Sequence, residues 1–135
     1  MKLVTTLITA TLLVACGARS TDEEQVRALV AEIETAAEER DASDVLEHVA
    51  DSYEDAQGFD RAQLQNFLRG YFLAHPKIEL LVGIDTLEFP ADGLAQAEIS
   101  VTSLELNDPD RARLKVEFRR DGDKWMVSRA DRLRP

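Results

Sequence analysis

Cysteine is nearly absent from this sequence: Cys16 is the only one in 135 residues, so no disulfide bond can form within the chain. The sequence also lacks a glycine-rich phosphate loop, a Cys-x-x-Cys pair and a serine nucleophile elbow, which removes the usual motifs of nucleotide, redox and hydrolase chemistry. Its two histidines, His48 and His75, have no readable cysteine or histidine partner, which is a poor metal signal. We therefore predict no metal and no cofactor.

Positive charge is also scarce. The 16 basic residues are outnumbered by 26 acidic ones, which gives a formal net charge of -10 at pH 7. A strongly acidic domain repels phosphate backbones, so we do not expect a nucleic-acid partner. Hydrophobic residues make up 44% of the chain, a share that is ordinary for a globular protein and argues against disorder. The length fits one domain with a single core.

No apolar run near the start of the sequence is long enough to cross a bilayer. Lys2 precedes an apolar stretch from Leu3 to Val14, whereas a spanning helix needs about 20 apolar residues. A basic start, a short apolar segment and a small residue at Ala15 have the layout of a signal peptide. Residues 1–15 are therefore predicted to be a signal peptide.

Cys16 follows this segment directly. A lone thiol can be an inert core atom, a nucleophile, an intermolecular bridge or an attachment point. The run Leu13-Val14-Ala15-Cys16 resembles the lipobox of bacterial lipoproteins. That resemblance implies cleavage after Ala15, lipidation of Cys16 and, because Gly17 rather than Asp follows, an outer-membrane location that faces the periplasm. The alternative is a signal peptide that is cleaved elsewhere, with an incidental free thiol.

Residues 16–21 are predicted to be the lipidated cysteine and its tether, and residues 22–135 one domain. Thr21 and Glu24 have the spacing of a capping box at the start of a helix that extends to about Ala37. Its apolar residues recur at helical spacing, and its acids are predicted to form a solvated face. That acidic face includes Glu32, Glu34, Glu38 and Glu39.

Two further helices and then four strands follow in the pattern. Val45, Leu46 and Val49 indicate a short helix, and a third helix is predicted between a capping box at Asp60 and a stop before Pro76. From residue 77 the apolar period changes to two, which predicts four strands joined by short turns, the first with a bulge or a change of face. Three helices before an antiparallel meander predict an α+β domain.

This order resembles the nuclear-transport-factor-2-like (NTF2-like) superfamily, which includes SnoaL-like and steroid-isomerase-like proteins. The resemblance lies in "RDASDVLEHVADSYEDAQGFDRAQLQNFLRGYF" on the helices and "KWMVSRA" on the last strand. It implies a cone-shaped fold, in which three N-terminal helices pack on a strongly curved four-stranded antiparallel sheet and leave a pocket at the open end. It does not imply one function, because isomerases, dehydratases, transport factors and noncatalytic domains share this fold.

The resemblance offers one candidate catalytic residue, Asp55, in the stretch "YEDAQG". Steroid isomerases carry a general base at this place, and a carboxylate in an apolar pocket can move a proton beside a carbonyl group. The hydrogen-bond donors that such enzymes add would fall near Ile33 and Lys115, and neither residue matches. Asp55 could instead work with Tyr53, His75 or Asp85 in a hydrolase. The structural alternative is a turn acid that accepts backbone amides.

Four residues are predicted to line the ligand pocket: Tyr53, Tyr71, His75 and Trp125. We expect Tyr53 at the rim with a hydrated hydroxyl group. The favoured function is a noncatalytic periplasmic lipoprotein that binds a small apolar ligand or a protein of the cell envelope, and whether it is an enzyme stays open. The alternative is a small isomerase or hydrolase with Asp55 as general base. A homodimer through the sheet is a further expectation.

Overall fold

The computed structural model describes residues 21–104 and 109–134, and the predicted signal peptide and Cys16 lie outside these ranges. The elements in chain order are α1 (Asp22–Glu38), α2 (Ala42–Glu47), α3 (Arg61–Ala74), β1 (Leu80–Ala91), β2 (Leu94–Ser103), β3 (Asp110–Asp121) and β4 (Lys124–Leu133). The strands form one antiparallel sheet in the order β1-β2-β3-β4. The predicted α+β fold class is confirmed.

Helix ends follow the side chains that cap them. The Thr21 hydroxyl accepts a hydrogen bond from the Glu24 amide at 3.2 Å. At α3 the capping box is complete: Asp60 accepts from the Gln63 amide at 2.8 Å, and the Gln63 side chain accepts from the Asp60 amide at 2.9 Å. Each pair satisfies backbone donors that a helix leaves unpaired in its first turn. The predicted start of both helices is therefore confirmed.

The core lies between the helices and the concave face of the sheet. The most deeply buried large side chains are Phe118 of β3, Leu46 of α2 and Val26 of α1. They come from separate elements and belong to one hydrophobic cluster. Burial of apolar area at about 25 cal/mol per Å² is the main force that holds helices and sheet together.

Three irregularities in strand register accompany the curvature of the sheet. The register between β1 and β2 shifts between Ile84 and Thr86, as the sequence predicted for the first strand, and again between Glu88 and Ala91. The third shift occurs where β3 passes from Glu117 to Phe118, opposite Ser128 of β4. A bulge bends its strand and increases the local twist. The side-chain alternation of β4 also changes face at Ser128.

The chain segment after α2 extends the sheet at the edge of β4. Val49 forms a parallel bridge with Val127, and the Ala50 amide donates to the Val127 carbonyl group at 2.8 Å. The Glu54 amide then donates to the Ser128 carbonyl group at 3.3 Å. This pairing covers the edge of β4 and brings residues 53–59 to the end of the sheet where the cone opens.

Candidate ligand-binding cavity

The concave side of the sheet encloses a cavity of about 250 Å³. This volume is close to the lower end of the range for small-molecule sites, about 300 Å³. Apolar side chains from three helices and four strands line it: Val30, Ile33, Ala37, Val45, Leu64, Leu68, Leu80, Val82, Ile99, Val101, Leu114, Val116, Phe118, Val127 and Ala130. Val49, Tyr53 and Glu34 complete the lining, and Glu34 is its one charged residue in the described part of the chain.

The cavity continues outward into a larger space of about 660 Å³, which we call the vestibule. Four residues line both spaces: Tyr53, Leu64, Leu114 and Ala130. The remaining vestibule residues are Asp55, Ala56, Gln57, Phe59, Phe67, Ala112, Asp131, Arg132, Leu133 and Arg134. A molecule that enters the apolar cavity from this side therefore passes polar and charged groups first.

Tyr53 and Asp55 lie together where the cavity meets the vestibule. The Tyr53 hydroxyl donates a hydrogen bond of 2.8 Å to Asp55 Oδ2, and only 3% of the Tyr53 surface is exposed. The expectation of a hydrated hydroxyl group at the rim is therefore wrong. Its burial follows from the pairing of residues 48–54 with β4, which holds Tyr53 against the end of the sheet.

The other oxygen of Asp55 closes the turn that follows it. Asp55 Oδ1 accepts hydrogen bonds from the amides of Gln57 at 3.0 Å and Phe59 at 3.1 Å. Gly58 adopts a left-handed conformation with φ 81°, which this tight turn requires and glycine adopts without steric penalty. Asp55 is buried and both of its oxygens have donors from the protein. These contacts are those of a turn acid, and its catalytic role stays a prediction.

The protonation of the Tyr53 hydroxyl is strongly favoured. Burial and the hydrogen bond to Asp55 raise the pKa of Tyr53 well above its ordinary value, and the charge of Asp55 adds to the effect. Tyr53 is therefore a neutral donor at pH 7, and its proton is directed at Asp55 Oδ2, with the Ala130 carbonyl oxygen 3.4 Å away.

Asp131 holds the same loop from the side of β4. Its Oδ1 accepts from the Ala56 amide at 2.7 Å, and its Oδ2 accepts from Arg129 Nε at 2.5 Å. Burial acts to raise the pKa of Asp131, but these two hydrogen bonds outweigh it and leave the pKa below its ordinary value. Asp131 is thus an ionised anchor for the loop that carries Asp55.

The other three predicted pocket residues are not among those that line the cavity or the vestibule. Tyr71 and His75 stack on each other with ring centroids 4.1 Å apart. They follow Leu64 and Leu68 by seven residues each, so they continue the same helical stripe toward the C-terminal end of α3. The structure does not bring them together with Tyr53.

Trp125 lies at the opposite end of β4 from the vestibule. It precedes Ala130 by five residues, which is about 16 Å along a strand. Its Nε1 donates to Asp22 Oδ1 at 3.3 Å, and the Arg120 guanidinium group lies 5.6 Å from the ring centroid. These contacts join the last hairpin to the start of α1, so the observed position of Trp125 is structural.

The structure adds one acidic residue to the candidate site. Glu34 is half-buried and lines the apolar cavity, so the expectation that it belongs to the solvated face of α1 is wrong. It follows Val30 by four residues and precedes Ala37 by three, and both of these line the cavity. This helical spacing was the signal in the sequence that could have identified it.

Over residues 21–104 and 109–134, no helix combines the length and apolar character needed to cross a membrane. Over the same residues, no cluster of three or more His, Cys, Asp or Glu could hold a metal ion.

The curved sheet, the helices on its concave face and the cavity between them define an NTF2-like fold. No protein-family model matches the sequence, and no curated protein matches it. Among solved structures, an NTF2-like protein of unknown function from Shewanella oneidensis superposes with a TM-score of 0.68 at 14% identity, over 83% of this chain and 98% of that one. An NTF2-like protein of unknown function from Pseudomonas putida gives a TM-score of 0.68 at 20% identity, over 84% and 86% of the two chains.

A domain of unknown function with a cystatin-like fold, from Nostoc punctiforme, is also similar, with a TM-score of 0.72 at 14% identity over 86% of this chain and 80% of that one. Identities this low establish the fold and do not transfer an activity. The expected NTF2-like fold is thus confirmed.

Proposed function

We propose that this domain is a noncatalytic binding protein that takes a small apolar ligand into the cavity of its cone. The observation that carries the proposal is the cavity of about 250 Å³ with an almost entirely apolar lining. An apolar cavity has no partners for water, whereas an apolar molecule gains both dispersion contacts and release from water. The neutral Tyr53 where the cavity opens is compatible with such a ligand.

The bonding of Asp55 supports a noncatalytic role. A general base needs a lone pair within reach of the proton that it removes. Both oxygens of Asp55 accept hydrogen bonds inside the protein, from Tyr53 on one side and from two turn amides on the other. Withdrawal of any of these donors would leave a buried polar group unsatisfied, at a cost of about 1–3 kcal/mol.

Catalysis by Asp55 in an isomerase or hydrolase is the alternative function. One observation favours it: Asp55 is buried beside a tyrosine and lines the vestibule that leads to the apolar cavity. If Asp55 is the general base, Asp55→Asn abolishes turnover of any substrate found in a screen. An Asn variant that keeps the wild-type rate eliminates this alternative.

We also propose that acyl chains on Cys16 hold the domain at the outer membrane, where it faces the periplasm. The support is the lipobox-like run that ends at Cys16 and the start of the folded domain at the N-cap Thr21. A tether of five residues reaches at most about 18 Å, so the domain would stay close to the bilayer. Mass spectrometry of the native protein tests this: we expect an acylated N-terminal Cys16, and an unmodified thiol would contradict the proposal.

Ligand binding is tested with N-phenyl-1-naphthylamine, an uncharged probe that becomes fluorescent in apolar sites. We expect saturable binding by the wild-type protein and at least tenfold weaker binding by Ala37→Leu, because leucine at this position fills part of the cavity. The matched control is Ala31→Leu on the exposed side of the same helix, which should bind as the wild type does. Equal binding by both variants would show that the probe lies elsewhere.

A further inference from the structure

The concave face of β4 changes from apolar to basic at its open end. Ala130 lies opposite Val116 and Arg132 lies opposite Leu114 in the register of the two strands. Partners that face each other in an antiparallel pair have their side chains on the same side of the sheet. Since Leu114 and Val116 line the cavity, Arg132 lies on the concave side as well.

Arg134 follows Arg132 by two residues, which is the repeat of a strand. It lies just beyond the end of β4 and lines the vestibule together with Arg132. Two guanidinium groups therefore border the space through which the apolar cavity opens, in a protein whose net charge is -10. In so acidic a protein, two arginines that lie together at the opening of the cavity point to an anionic group as their partner.

The carboxylates of the vestibule are already occupied. Asp55 accepts from Tyr53 and from two backbone amides. Asp131 accepts from the Ala56 amide and from Arg129. Neither acid is in an ion pair with Arg132 or Arg134 among the contacts of the described residues.

The two arginines are weakly paired by comparison. The Arg132 guanidinium group lies 3.7 Å from Asp110, and the two side chains are 58% and 72% exposed, so solvent screens this pair. Arg134 has no ion pair with any residue in the described ranges. A guanidinium group presents planar donors that match a carboxylate in a bidentate manner. Both groups can therefore bind an anionic head group.

We infer that the ligand is an amphiphile with a carboxylate head group: its apolar body occupies the cavity, and Arg132 and Arg134 hold the carboxylate in the vestibule. This inference rests on the proposed function, because the head group is placed by the body in the cavity. The residues that would contact each part are separate, since the cavity is apolar and the arginines line only the vestibule. The affinity for the apolar body of the ligand and the preference for its head group can thus be measured independently.

The test compares octanoate with 1-octanol, which have the same chain length and differ in the head group. Each displaces N-phenyl-1-naphthylamine from the full-length chain with Cys16→Ser, a change that prevents acylation. We expect octanoate to bind at least tenfold more tightly than octanol. The double variant Arg132→Gln and Arg134→Gln should abolish this preference, because octanoate then loses the two guanidinium groups that distinguish it from octanol.

The matched control is the double variant Arg111→Gln and Arg119→Gln, which removes the same charge from the convex face of β3. These residues alternate with Ala112 and Phe118, which lie on the concave side, so the preference for octanoate should persist. Equal binding of octanoate and octanol by the wild type would overturn the inference alone. A preference that survives in Arg132→Gln and Arg134→Gln would also overturn it. If neither compound displaces the probe, the proposed function fails together with the inference.

Discussion

The hydroxyl group of Tyr53 donates to Asp55 across 2.8 Å at the inner end of the vestibule. This contact joins the edge segment that pairs with β4 to the turn of residues 55–59, whose amides bind the other oxygen of the same carboxylate. One buried carboxylate therefore organises the loop that borders the cavity. The hydrogen bond fixes the loop that shapes the opening, and the apolar lining supplies the binding energy.

Tyr53 should resist ionisation in alkaline solution. Tyr53 has a raised pKa because of burial and its bond to Asp55, whereas an ordinary tyrosine ionises near pH 10, about the value in peptides. The chain contains only Tyr53 and Tyr71. In Tyr71→Phe we expect no tyrosinate absorbance at 295 nm near pH 10 while the fold persists. A full tyrosinate signal near pH 10 in this variant would contradict the buried position of Tyr53.

The same raised pKa has a consequence for stability at high pH. The pKa of Tyr53 is higher in the folded protein than in the unfolded chain. The stability that neutral Tyr53 contributes is therefore complete below about pH 10 and is lost as the pH rises further. Urea unfolding of the wild type and Tyr53→Phe at pH 9 and pH 11 tests whether this contribution falls as the pH rises. The stability advantage of the wild type over Tyr53→Phe should shrink at pH 11, and an advantage that grows would contradict it.

Removal of the Asp55 carboxylate should destabilise the fold. Asp55→Ala leaves the two turn amides and the Tyr53 hydroxyl group without their acceptor, and we expect a loss of about 2–3 kcal/mol in urea unfolding. Asp55→Asn keeps one acceptor oxygen for the amides, so its loss should be about 1 kcal/mol. The difference between the two variants reports on the hydrogen bonds from the Gln57 and Phe59 amides to Asp55. Equal stability of Asp55→Ala and the wild type would contradict the role of a turn acid.

Acid should remove the contribution that Asp131 makes to the stability of the fold. Its folded pKa is lowered by the Ala56 amide and Arg129 against the opposing effect of burial. The contribution is therefore present above the unfolded value, about pH 3.9, and is lost as the pH falls through the folded pKa. The difference in unfolding free energy between the wild type and Asp131→Asn should be constant from pH 7 to 5 and shrink toward pH 2. The control is Asp123→Asn in an exposed turn. Its unfolding free energy should differ little from that of the wild type at any pH between 7 and 2.

Glu34 should weaken the binding of apolar ligands. It lines the cavity without a hydrogen bond or ion pair to any described residue, and a ligand beside it would remove water from its carboxylate. Glu34→Gln should therefore bind both octanol and N-phenyl-1-naphthylamine several-fold more tightly. The control Glu32→Gln changes an exposed acid on the same helix and should have no effect. An unchanged affinity in Glu34→Gln would place the ligand away from this wall.

The architecture was predictable because its signals are local. The capping pair of Asp60 and Gln63 marks the start of α3 within four residues, and the alternation of Ala95, Ala97 and Ile99 identifies the buried face of β2. Such patterns reflect the periods of the helix and the strand. Together with the order of elements they were sufficient for the α+β fold and the antiparallel meander.

The site was harder to predict because non-local contacts arrange it. Tyr53 is buried by the pairing of Val49 with Val127, for which no local pattern exists. If the side chains of β4 alternated regularly from Trp125 onward, Asp131 would lie on the concave face. The bulge at Ser128 shifts the alternation by one residue, so that Arg132 lies on that face instead. Only Glu34 had a readable signal, its helical spacing from Val30 and Ala37.

The position of the bound probe tests the central claim most directly. Methyl-labelled protein with N-phenyl-1-naphthylamine would be examined by nuclear Overhauser effects between ligand protons and methyl groups. We predict contacts with Leu64 and Leu114, which line both the cavity and the vestibule, and with Val116 in the cavity. Contacts confined to the exposed Leu73 and Leu81 would contradict a ligand-binding cone.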